Sequence, residues 1–144
     1  TTVVSDAIDV STFFNDNDTK RISPACKSSK NYGRTEGIFT NIYLQNTWRS
    51  GETRSGRGSE ISITRRIRPH ISKLLKAFNI TSLADAGCGD FNWMRLMDLG
   101  SCEYIGLDIV KALIEQNEKF YTTATRHFAH HNIIDEPMET VDLI

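Results

Sequence analysis

Asp85, Gly87, Cys88, Gly89 and Asp108 are the residues whose types and spacing point to a ligand. The first four stand in the run Ser82-Leu83-Ala84-Asp85-Ala86-Gly87-Cys88-Gly89-Asp90, where small apolar residues end on an acid and two glycines flank one residue. Such a run reads as a buried strand that stops abruptly and turns into a helix. Glycine lacks a Cβ, so its backbone bends tightly and a ligand can approach its N–H groups. Further on, the piece Tyr104-Ile105-Gly106-Leu107-Asp108 belongs to a second short strand, read from Cys102 to Leu107 and ending on a carboxylate. An acid there, beside a glycine turn at the end of strand one, is placed to hold a ribose diol. The spacing therefore predicts a nucleoside-containing ligand.

Two cofactor classes share this plan. A dinucleotide fingerprint needs Gly-x-Gly-x-x-Gly or Ala, the third small residue letting the helix close on the strand. Here Asp90, Phe91 and Asn92 follow Gly89, so the third position is Asn. Phe91 and Trp93 are bulky where a diphosphate wants bare backbone. Asp85 would repel a diphosphate and suits a ligand carrying positive charge, such as an amino-acid ammonium.

Asp85-x-Gly87-x-Gly89 with Asp108 resembles the cofactor motif of class I S-adenosylmethionine-dependent methyltransferases. The wider string from Leu83 to Met94 is similar to a subgroup of methyltransferase-like domains that also carry an upstream block. That block is matched by Ile42-Tyr43, Asn46, Trp48 and Ser55-Gly56-Arg57-Gly58-Ser59, so the resemblance runs from Phe39 to the end. It departs at Phe91, where the family often has a third glycine. The resemblance implies S-adenosyl-L-methionine as cofactor and a Rossmann-like parallel sheet with flanking helices. It also implies that Asn132 lies beside the adenine amino group and that Ile133 offers a backbone N–H and an apolar surface to the ring.

Several elements must position these residues. Phe39, Ile42 and Tyr43 share one face of an expected short helix. A glycine–serine loop from Ser50 to Ser59 follows, studded with Arg54 and Arg57, and reads equally as an anion site or as an ordinary loop capped at Ser59. Over Glu60–Phe78 the residues Ile63, Ile67, Ile71, Leu74, Leu75 and Phe78 predict a helix with one buried stripe, kinked or split at Pro69. Phe91–Leu99 reads as a short helix stopped by Gly100, its amino end aimed at the glycine turn. Ile109–Tyr121 reads as a helix with Leu113, Ile114 and Phe120 inward. Arg126–His131 reads as strand three and Val141–Ile144 as the opening of strand four. This alternation predicts an α/β fold, a parallel sheet with right-handed crossovers. With only three strands and a fraction in the sequence, the resemblance implies an incomplete class I methyltransferase fold.

The chain of 144 residues is 39% hydrophobic and 24% charged, a composition that excludes wholesale disorder. Residues 1–34 have no sustained period and one apolar cluster at Val10, Phe13 and Phe14, and read as a polar arm or linker. Residues 35–144 read as the amino-terminal part of a cofactor-binding domain. Between Arg49 and Lys76 eight cationic side chains meet only Glu52 and Glu60, a balance that suits an anionic substrate or a solvated helix face. His127, His130 and His131 stand in a strand pattern, and His70 reads as a surface residue, so no metal site is expected. Cys26, Cys88 and Cys102 form no disulfide framework, and no secretory signal or membrane-length apolar run is evident, so a cytoplasmic protein is the expectation.

Three functions follow in order. The first is the S-adenosylmethionine-binding part of a methyltransferase acting on an unknown acceptor. The second is a non-catalytic nucleoside-binding or protein-interaction module on the same fold. The third is an NAD-dependent oxidoreductase, disfavoured by Asp85 and Asn92. A half-sheet leaves an edge and an apolar face uncovered, so the isolated chain is expected to need its missing half or a partner.

Overall fold

The computed structural model describes residues 32–144. The arm expected over residues 1–34 lies outside them except at its end, where Tyr32 already opens the first helix. Helix α1 spans Tyr32–Gln45 and stops where Asn46 turns to a positive φ of 48°. Three strands, β1 (Ser82–Ala86), β2 (Glu103–Asp108) and β3 (Arg126–His130), form a parallel sheet in the order β1-β2-β3. Ala84 stands opposite Ile105, and Ile105 opposite His127. The expected α/β architecture is present at that level. Strand three ends one residue before its expected limit, at His130.

Helix α4 (Lys111–Tyr121) makes the crossover from β2 to β3. Leu113 and Ile114 are buried as expected, whereas Phe120 is 63% exposed. Asn117 takes the inward place one turn on from Leu113. On the far edge of β1, Leu143 forms a parallel bridge with Leu83, with N–H···O distances of 2.9 Å from Ala84 and 3.2 Å to Ser82. Asp142 fastens that segment by accepting from the Thr81 hydroxyl and the Thr81 and Ser82 N–H groups. The spatial order is thus Leu143, β1, β2, β3.

Two helical expectations need correction. Glu60–Phe78 splits beside Pro69, as expected, into α2 (Ile61–Thr64) and α3 (Arg68–Ala77), with Pro69 in the first turn of α3, where its missing N–H costs no hydrogen bond; the correction concerns its single buried stripe. Leu75 is buried. The rest of the stripe rotates outward, leaving Ile63, Ile67, Leu74 and Phe78 exposed and Ile71 half-buried. The expected helix Phe91–Leu99 is absent. Only a 3₁₀ turn at Met94–Leu96 forms, because Phe91 adopts φ 57° and drives its ring into the core. The helix amino terminus expected to face the glycine turn from Phe91 is therefore not formed.

That ring organises the core. Phe91 lies 5.1–5.3 Å, centroid to centroid, from Tyr104, Tyr121 and Phe128, spacings at which aromatic edges meet faces. The Arg126 guanidinium covers it at 5.0 Å. Gly106 permits this packing, since a Cβ there would stand 2.7 Å from the Phe128 ring and 3.0 Å from Cys88 Sγ. Among the described residues no helix is long and apolar enough to cross a membrane.

Candidate functional site: a cleft at the carboxyl ends of the strands

A cleft of about 380 Å³ opens where the three strands end. Its volume lies within the roughly 300–1,000 Å³ of small-molecule sites. Asp85, Gly87, Cys88 and Gly89 line it from the end of β1, Asp108 from β2, and Asn132 and Ile133 from just beyond β3. All seven candidate residues are brought together by the parallel register. Helix α1 adds Phe39 and Tyr43, and the following loop adds Trp48, Arg54 and Ser55.

The glycine turn is held from both sides. Asp108 Oδ2 accepts from the Gly89 N–H at 3.0 Å, and its Oδ1 accepts from the Val110 N–H at 2.9 Å. A carboxylate has about four lone-pair sites, so each oxygen keeps capacity for a ligand hydroxyl. On the opposite side Asn117 Nδ2 donates to the Gly89 carbonyl at 2.7 Å. Gly87 has φ 86° with nothing within 4 Å of where a Cβ would point.

Asp85 accepts from the Tyr104 hydroxyl at 2.8 Å. Burial raises its pKa above the usual carboxylate range; the Tyr104 hydrogen bond opposes this, and the Asp108 charge adds to it. The folded state thus holds the Asp85 proton more tightly than the unfolded chain does. This contribution is full below the unfolded carboxylate range and is lost as pH rises through the raised folded value. Asp85→Asn keeps an acceptor for Tyr104 and removes the buried charge. It is expected to raise the melting temperature relative to wild type at neutral pH, by an amount that grows from acidic to neutral pH. A difference between variant and wild type that does not grow over that interval would contradict this account.

Cys88 is no nucleophile: burial, then Asp108 and Asp85, push its thiol pKa up and keep it protonated. Asn132 is almost wholly buried, with its amide turned into the local chain. Its Oδ1 accepts from the Ile134 N–H and its Nδ2 donates to Asp135. Among the described residues no three His, Cys, Asp or Glu side chains converge as metal ligands. His130 contacts the Ile109 carbonyl and Glu36, and His131 contacts Glu136. Cys88 and Cys102 are free and buried.

Sequence reasoning missed the side chains that brace the turn. Asp90 receives the loop before α2: the Thr53 hydroxyl lies 2.8 Å from both its oxygens, the Arg54 N–H 2.6 Å from Oδ2 and the Ser55 hydroxyl 2.9 Å from Oδ1. The Asp90 N–H donates back to Ser55 Oγ. The approach is close enough that a Cβ on Gly89 would fall 2.0 Å from Ser55 Oγ. Asn92 donates to Glu52 and to the Ser59 carbonyl. One signal was available for Asn117: a polar residue at an inward helical position must find a buried partner. Comparison with family models, curated proteins and solved structures finds no match to this chain.

Proposed function

We propose that this chain is the S-adenosyl-L-methionine-binding part of a methyltransferase with a class I fold, acting on an acceptor yet to be identified. The observation that carries this reading is the Asp108 carboxylate, bonded to the Gly89 N–H, beside the open space over Gly87. In this reading Asp108 takes the ribose diol and Asp85 faces the methionyl ammonium. Asn132 and Ile133 border the adenine. The order Leu143, β1, β2, β3 supports it, since open α/β sheets bind ligands at the carboxyl ends of strands, where the strand order reverses. The cofactor supplies an activated methyl on a sulfonium. The chain's own residues orient that ligand and exclude water around it.

The dinucleotide reading is disfavoured by Phe91 and Asn92. A pyrophosphate is held at a helix amino terminus, and here the chain after Gly89 sends one side chain into the core and the other to Glu52. Calorimetric titration of the chain with S-adenosylhomocysteine and with NAD tests the proposal. Saturable one-to-one binding of the first alone is expected. Binding of NAD alone, or of neither, would overturn it. Turnover assays would then separate a methyltransferase from a module that binds without transfer.

A further inference from the structure

Arg54 is the one lysine or arginine lining the cleft among the described residues. Arg57, three positions on, is absent from the lining; its side chain is 80% exposed and stands 3.9 Å from Glu60. Both arginines are exposed, and of the two it is Arg54 whose backbone is tied to Asp90. The Arg54 N–H donates to Asp90 at 2.6 Å, and its neighbours Thr53 and Ser55 place their hydroxyls on the same carboxylate. Thr53 is buried, and its hydroxyl also accepts from the Ser55 N–H at 3.1 Å, closing the loop on itself. Arg54 reaches on toward α1, with Nη1 3.5 Å from the Tyr43 carbonyl.

We propose that Asp90 is a positioning residue that sets the loop Thr53–Ser55 so that the Arg54 guanidinium enters the cleft and takes the carboxylate of an amino-acid-bearing nucleoside. The inference rests on the S-adenosyl reading of the cleft and goes beyond it to the recognition of the ligand's far end. A zwitterionic tail needs an anion for its ammonium and a cation for its carboxylate. Asp85 offers the first, and Arg54 is the group available for the second. A guanidinium matches a carboxylate with two parallel N–H donors. Asp90 touches no ligand in this arrangement; it acts through Arg54.

The test compares two ligands that share the adenosine and thioether parts. S-adenosylhomocysteine carries the amino-acid tail, whereas 5′-methylthioadenosine does not. Arg54→Gln and Asp90→Asn should each weaken S-adenosylhomocysteine about tenfold, the scale of a lost charge-assisted hydrogen bond. Both should leave 5′-methylthioadenosine unchanged. The double variant should be no weaker than the worse single variant. Thr53→Val, which keeps Asp90 and removes one of its donors, should show the same ligand selectivity if Asp90→Asn does not fold. Arg57→Gln should change neither ligand. Equal weakening of both ligands by Asp90→Asn or Thr53→Val would mark the network as merely structural and overturn the proposal. Unchanged S-adenosylhomocysteine affinity in Arg54→Gln would overturn it too. A wild-type chain that binds neither ligand would sink the S-adenosyl reading itself, an outcome distinct from both.

Discussion

Gly87→Val should abolish binding of S-adenosylhomocysteine while leaving a folded protein. Two effects act together at this position. Gly87 has φ 86°, a conformation that costs a side-chain-bearing residue ~1–2 kcal/mol. That strain lowers stability without unfolding a chain whose core lies elsewhere, around Phe91, Tyr104 and Phe128. The second effect is larger for the ligand. Apart from the adjoining residues of the turn, no protein atom lies within 4 Å of the site a Cβ would occupy, so a valine side chain would project into open space over the turn. Gly87 lines the cleft, so the space lost belongs to the proposed methionyl part. Thermal melting and calorimetry on the same sample check both halves. A variant that melts slightly lower and binds as well as wild type would show that the turn does not line the ligand site.

Asp108→Ala should weaken the same ligand by ~1.5–3 kcal/mol, the worth of hydrogen bonds to a charged acceptor. That range corresponds to about 10–150-fold in the dissociation constant. The carboxylate has two duties. It holds the Gly89 and Val110 N–H groups, and in the proposed reading its remaining lone pairs face the ribose hydroxyls. Asp108→Asn separates them, because its amide oxygen can still accept one backbone N–H while the negative charge is gone. Comparison with 2′-deoxy and 3′-deoxy forms of the ligand then isolates the ribose contribution. If Asp108→Ala binds both the full and the deoxy ligands as wild type does, Asp108 does not contact the ribose.

Sequence alone determined the three strands and the cleft's carboxyl-end residues. Apart from Asn132 and Ile133, which came through the family resemblance, each depends on short-range features: small apolar runs, paired glycines that can turn, and an acid at a strand end. Parallel pairing then required those ends to meet on one edge, so Asp85, Gly87, Asp108 and Asn132 converge without further instruction. The order of elements also carried the crossover helix α4, whose inward positions follow from spacing except at Phe120.

Tertiary structure alone decided what braces that edge. Phe91 looked like the start of a helix, yet an aromatic pocket built from Tyr104, Tyr121 and Phe128 outweighed local helix preference and pulled its backbone to positive φ. The stripe from Ile63 to Phe78 matched a buried helix face, but the break before Arg68 and the burial of Leu75 turned most of it to solvent. Asp90 and Thr53 meet across 37 positions, and Asn117 reaches Gly89 across 28. No local period encodes such pairs. A polar side chain entering a packed interior must be satisfied by whatever the fold brings within hydrogen-bond reach, and only the assembled sheet, loop and helix determine which groups those are.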